Sequence, residues 1–259
     1  MIWPDGRISR FFAQLVQVLF LVWWIGAATS CGRDAPVAFF SKNLELLIVF
    51  DIPIPEPSGL VYSEARNSLF VISDSRSAIY QIDTTGRVLK AIPISATDLE
   101  GVALSRREDT LYVVEEAAYR VTSYLSDGTK ARSFVHVTGT DPSHGLEGIA
   151  IDTSYHIYLL NEKPPLLVKL TQNGAELWRK TLTATTDVSD ICYNARENCL
   201  WVVSDESKKL LKLSVNGDLI EAWDIPVVKA EGVAVHGNTM FICSDQTAKL
   251  YLFRKPASN

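Results

Sequence analysis

An all-β fold, a five-bladed β-propeller, is predicted by three observations: a short beat recurring every 42 to 47 residues, a strand phrase after each beat, and a tight-turn pair after most of the phrases. The beat is a small or acidic residue followed by glycine or aspartate. It falls at Ser58-Gly59, Glu100-Gly101, Glu147-Gly148, Ser189-Asp190 and Glu231-Gly232, at intervals of 42, 47, 42 and 42 residues. A period of that length carrying only strand-like segments is the signature of a propeller blade.

Each repeat reads as four strands. In the second, Gly101 to Leu104, Thr110 to Glu115, Tyr119 to Leu125 and Ala131 to Val137 follow one another, with Asp127-Gly128 turning the third into the fourth. Equivalent turn pairs stand at Thr85-Gly86, Asn173-Gly174 and Asn216-Gly217. The second strands share a phrase, an apolar run ending on an acid: Leu69 to Asp74, Leu111 to Glu116, Ile157 to Glu162, Leu200 to Asp205 and Met240 to Asp245. Such short runs, rich in β-branched and aromatic residues, fit strands buried on both faces between neighbouring blades.

The fifth repeat reaches only a third strand, Lys249 to Phe253, and a spare strand precedes the first repeat, from Leu44 to Asp51. Adding the spare strand to the last blade closes the ring and removes two open edges. The matched phrases Asp51-Ile52-Pro53 and Asp224-Ile225-Pro226 support this, since an outer edge tolerates proline. The chain thus divides into a signal segment (1–30), a tether (31–43) and the propeller (44–255).

Of the 259 residues 47% are hydrophobic, enough for a large core, and the net charge of -5 comes without any cluster of Lys and Arg. A nucleic-acid surface needs such a cluster, so nucleic acid is not expected as a partner. Arg7 and Arg10 precede an apolar run from Phe11 to Thr29, then Ser30 and Cys31. A basic start, an apolar stretch and small residues before a cleavage point make a secretory signal. Ala28, Thr29 and Ser30 directly before Cys31 resemble a bacterial lipoprotein signal, in which the cysteine is lipidated, although Ala28 stands where a branched apolar residue is usual. Plain secretion or an uncleaved anchor is the alternative. Either way the folded part lies outside the cytoplasm. By the rules for Gram-negative lipoproteins, Gly32 directs the protein to the outer membrane, facing periplasm or exterior.

Cys192 and Cys199 flank the turn between the first two strands of the fourth repeat. They are either a cross-strand bridge or two small buried hydrophobes. Cys243 lies in an apolar strand and reads as core.

The phrases Glu56-Pro57-Ser58-Gly59-Leu60, Asp98-Leu99-Glu100-Gly101-Val102-Ala103, Gly145-Leu146-Glu147-Gly148-Ile149-Ala150 and Leu69-Phe70-Val71-Ile72-Ser73-Asp74 resemble the SdiA-regulated family, the YjiK-like proteins, in part shared with NHL-type propellers. The resemblance covers nearly all of residues 44 to 253. It implies a five-bladed propeller in the bacterial envelope with a bound calcium ion and no established enzymatic activity. Ser58-Gly59 and Ser189-Asp190 depart from the Glu-Gly pattern, so a ring of ligands would be irregular at those two blades.

The chemistry of the beat agrees with that implication. A residue just before the first strand of each blade sits at the mouth of the central channel, which brings Glu100, Glu147 and Glu231 together, with Glu56, Asp98, Asp187 and Asp190 near by. Close carboxylates stay ionised together only when a cation or strong donors compensate. An oxygen-rich cluster suits calcium, which takes six to eight oxygen ligands. The alternative is that Glu-Gly merely caps loops by accepting backbone N–H bonds. The metal candidates are therefore Glu100, Glu147, Glu231, Glu56 and Asp190, with Cys31 as the lipidation site. The acids ending the second strands read first as turn-formers.

Catalysis has less support. The four histidines are scattered, and no nucleophile elbow or phosphate-binding glycine loop occurs. A calcium-dependent lactonase or esterase remains the alternative to a binding or scaffolding module, with Asn161 and Asn198 as substrate-handling amides. The loop Thr138 to Leu146, which lengthens one interval to 47 residues, is the first candidate for a protein contact. A monomer is expected.

Overall fold

The computed structural model describes residues 42–257, and the signal and lipidation readings, Cys31 included, lie outside the described residues. Twenty strands form five four-stranded antiparallel sheets. Blade 1 comprises β2 (Pro57–Ser63), β3 (Ser68–Ser73), β4 (Arg76–Ile82) and β5 (Val88–Pro93). Blade 2 comprises β6 (Leu99–Leu104), β7 (Thr110–Glu115), β8 (Arg120–Leu125) and β9 (Lys130–Val135). Blade 3 comprises β10 (Leu146–Ile151), β11 (Ile157–Asn161), β12 (Leu166–Leu170) and β13 (Glu176–Thr181). Blade 4 comprises β14 (Asp190–Asn194), β15 (Cys199–Ser204), β16 (Lys209–Ser214) and β17 (Leu219–Asp224). Blade 5 comprises β18 (Ala230–His236), β19 (Thr239–Ser244), β20 (Lys249–Arg254) and β1 (Leu46–Asp51), the last pairing antiparallel with β20.

The β1 pairing joins residues some two hundred positions apart. Val49 faces Tyr251 and Asp51 faces Lys249 in register, and Arg254 forks onto Glu45 at 2.6 and 3.1 Å. A parallel bridge from Asn43 to Asp224 ties the start of the described chain to blade 4 as well.

Four hairpins between third and fourth strands use the glycines of the turn pairs, with φ between 76° and 90° at Gly86, Gly128, Gly174 and Gly217. A bulge follows in each sheet, as expected for a hairpin that ends in a left-handed glycine.

Packing is between blades. Five apolar clusters each join one blade to the next, for example Trp201, Val203 and Trp223 of blade 4 against Val233, Met240 and Ile242 of blade 5. Each fully buried Leu, Ile, Val or Phe contributes roughly 1.5–3 kcal/mol, so the ring is held by its interfaces. Cys192, Cys199 and Cys243 are free, buried thiols. Cys192 pairs across the sheet with Trp201 and Cys199 with Asn194, so the two are not opposite one another and pack as small hydrophobes.

The inner strands β2, β6, β10, β14 and β18 neighbour one another in a closed ring about the axis. Their closest layer is Gly59, Gly101, Gly148, Asp190 and Gly232. A Cβ at Gly101 would stand 2.8 Å from the Glu147 carbonyl oxygen and 2.9 Å from Gly148 Cα, so glycine is needed there for backbones to touch. Blade 4 puts a full side chain into this layer.

Candidate metal centre

The Glu-Gly beat proves to be a β-bulge. Leu99 pairs with Glu115 and Gly101 with Val114, which leaves Glu100 as the extra residue of its strand. Glu147 and Glu231 are extra residues in the same way in β10 and β18. A bulge re-aims the side chain it carries, and all three glutamates line one cavity at the channel mouth. Blade 4 has no bulge at this point: Asp190 pairs directly with Val203.

The cavity has a volume of about 450 Å³ and draws its lining from all five blades. Its inner ring is Ser58, Glu100, Glu147, Ser189 and Glu231. Around it stand the acids that end the second strands: Asp74, Glu116, Glu162, Asp205 and Asp245. Sequence reasoning treated these five as turn-formers. The signal that could have found them is their position 14 to 16 residues after the ring residue of the same blade, set by the first hairpin of each blade. Glu56 lies exposed at the rim with φ 44°, its carbonyl accepting from the Asp74 N–H.

Donors within the ring pass from one blade to the next. Ser58 Oγ donates to Glu100 Oε2 at 2.7 Å, and Ser189 holds the corresponding place in the blade before Glu231. Glu147 follows a glutamate rather than a serine. With 8% of its surface exposed, it has no hydrogen-bond donor and no cationic partner among the described residues. Burial, with repulsion from Glu100 and Glu231, pushes its carboxyl well above the usual glutamate range. Burial raises Glu100 similarly, against the Ser58 bond. Burial raises Glu231 as well, opposed by Lys229 and Ser189.

Two groups of carboxylates bring oxygens within 4.8 Å of one another: Glu116, Glu147 and Glu162, and Asp74, Asp98 and Glu100. Either could hold a metal ion. The donors are all oxygen, the set that suits hard cations such as calcium or magnesium. Glu100, Glu147 and Glu231 thus share the cavity but belong to different local groups. The side chain of Glu231 faces Lys229 Nζ at 3.6 Å.

Asp190 is placed elsewhere. It is fully buried in the glycine layer, where Oδ2 accepts the N–H of Leu60 at 3.1 Å and of Val233 at 2.9 Å, and Oδ1 has no partner. Burial holds its carboxyl well above the usual range, against those N–H donors. Its side chain therefore lies between the acidic cavity and a smaller one, about 200 Å³, lined by the later residues of the same five inner strands. Asp187 lines the acidic cavity, and its carboxylate accepts from the Glu206 and Ser207 N–H groups and from Ser204.

The amides considered for catalysis do not line the cavity. Asn161 is wholly buried, accepting from Thr138 Oγ1 and donating to the Pro164 carbonyl, and Asn198 accepts from the Tyr193 hydroxyl in a turn between β14 and β15. The long loop does reach it. A single 3-10 turn, Pro142–His144, is capped by Asp141, Tyr119 donates to the Asp141 carbonyl, and Ser143 lines the cavity. His144 Nε2 stands 3.9 Å from Glu162 Oε2 at the rim.

The fold is shared with solved propellers of low identity. A glutaminyl cyclase of Myxococcus xanthus matches at TM-score 0.65 with 13% identity, over 84% of this chain and 100% of that one. A chain of a nidogen/laminin complex matches at 0.57 with 17% identity, over 78% and 77%. A gluconolactonase from Xanthomonas campestris matches at 0.54 with 12% identity, over 84% and 96%. At these identities the likeness concerns the fold. The model of the SdiA-regulated family matches residues 53–182 and 168–258, which together span all five blades, and the chain belongs to that family.

Proposed function

We propose that this propeller is a calcium-binding module of the cell envelope, holding the ion at Glu116, Glu147 and Glu162 and acting in binding or scaffolding. One observation carries the metal: Glu147 is buried, lacks any donor among the described residues, and points into a cavity lined by carboxylates. A carboxylate kept there without compensation costs several kcal/mol, and a divalent ion removes that cost. All-oxygen donors and room for water beside them favour calcium over the transition metals. When bound, calcium would offset two of the three carboxylate charges and cross-link blades 2 and 3.

A binding role is preferred to a lactonase or esterase because neither Asn161 nor Asn198 lines the cavity. The Pro142–His144 loop over the rim is where a protein partner would meet the ion.

The test is metal analysis of the purified propeller, with melting measured in calcium and in chelator. With free calcium a hundredfold above Kd, linkage gives about 2.7 kcal/mol, hence a rise of about 5–10 °C for a domain of this size. Identical melting in both, with no metal retained, would remove the proposal. Anchoring is tested apart from this by the mass of the mature N-terminus. A diacylglyceryl group on Cys31 is expected, and an unmodified chain beginning at Met1 would rule it out.

A further inference from the structure

The carboxylate arrangement at Glu147 repeats around the ring. It consists of the acid ending one blade's second strand, the bulge glutamate of the next blade, and the acid ending that blade's second strand: Glu116, Glu147 and Glu162. The same positions are Asp74, Glu100 and Glu116 in blades 1 and 2, and Asp205, Glu231 and Asp245 in blades 4 and 5, and all line the same cavity. The difference lies two residues before the bulge glutamate. Blade 2 has Asp98 there, blade 3 has Gly145 and blade 5 has Lys229; the lysine near the Glu147 group, Lys163, pairs with Glu162 from the opposite end of the group and does not line the cavity.

Lys229 is the one cationic side chain among the described residues lining the cavity. Its Nζ lies 3.6 Å from Glu231 Oε1 and 3.7 Å from Asp205 Oδ2. The remaining neighbours leave this place to it. Asp205 uses its other oxygen, Oδ1, for Lys208 at 2.6 Å. An ammonium group therefore sits where, by the repeat, the ion of the Glu147 group would have its counterpart.

We propose that Lys229 is a tethered cation filling the Glu231 position of the cavity, so that no calcium ion binds beside Glu231 in the wild-type protein. The proposal rests on reading the Glu147 group as the calcium site. Electrostatics favours the arrangement: divalent ions in one small cavity repel each other, and a lysine offsets part of the Glu231 group's charge with half the charge of a calcium ion.

The test is the number of calcium ions retained per chain at a free calcium of about ten times the wild-type Kd, by equilibrium dialysis with metal analysis, in wild type, K229G and K229R. Glycine reproduces the blade 3 residue, and the φ of 49° at Lys229 suits it, so K229G is expected to fold. K229G should retain one ion more than wild type and K229R, and adding E147Q to K229G should remove one. The same count in K229G as in wild type overturns the proposal and leaves the Glu147 site standing. No ion in either wild type or K229G overturns the Glu147 reading and this proposal with it.

Discussion

Glu147→Gln protein is expected to lose about a hundredfold in calcium affinity, close to 2.7 kcal/mol at 1.4 kcal/mol per decade, while its chelated form melts higher than chelated wild type at pH 7.5. The two effects have opposite signs for one reason. In the loaded protein the Glu147 carboxylate is a ligand oxygen with full charge, and glutamine supplies only a neutral carbonyl. In the ion-free protein the same carboxylate is buried without a donor, so neutralising it relieves the desolvation cost. Titration calorimetry and chelated melts measure the two arms. A variant that binds calcium as wild type does would move the site away from Glu147.

The same geometry fixes a pH dependence. Glu147 and Glu100 have carboxyls raised well above the ordinary 4.5, so the folded, ion-free protein holds more protons than the unfolded chain. Their contribution to stability is complete below about pH 4.5 and is lost as pH climbs through the raised folded values. Chelated wild type should therefore melt lower at pH 7.5 than at pH 5.5. Calcium displaces those protons, so its affinity should rise over the same interval, and E147Q should flatten both trends.

The blade count, the four hairpins and the pairing of the N-terminal strand were legible because each leaves a local mark: turn glycines at fixed offsets, and a strand missing at one end with a spare at the other. The convergence of Glu100, Glu147 and Glu231 on the channel mouth was legible for the same reason, since one motif in five equivalent places must occupy one ring. What was not legible is which glutamate lacks a donor. That depends on the blade before it: a serine at the ring position donates forward, as Ser58 does to Glu100, and Glu147 follows a glutamate. The second-strand acids were underrated because an acid after an apolar run is as common in a turn as in a site. Only the ring geometry turns Asp74, Glu116, Glu162, Asp205 and Asp245 inward.

Asp190 shows what a broken repeat can mean. It replaces the glycine of the axial layer, and it was counted among the metal candidates because an acid stood where others were expected. The structure instead uses it as an acceptor for two backbone N–H groups, those of Leu60 and Val233, which belong to blades 1 and 5. Asp190→Ala would leave both without a partner in the driest part of the ring. At about 1–3 kcal/mol for each buried donor, a loss of about 2–6 kcal/mol in unfolding free energy is expected. Asp190→Asn keeps the accepting oxygen. Because burial raises the Asp190 carboxyl well above its ordinary value, its neutral acid form and an asparagine amide present nearly the same groups, with the unpartnered Oδ1 carrying the proton in one and the NH₂ in the other. The asparagine variant should therefore stay within about 1 kcal/mol of wild type and retain calcium with unchanged affinity. Urea unfolding at pH 5.5 and 7.5 separates the possibilities: asparagine as costly as alanine would mean that the charge, and not the acceptor, spans the axis. A loss of calcium in the asparagine variant would return Asp190 to the ligand set.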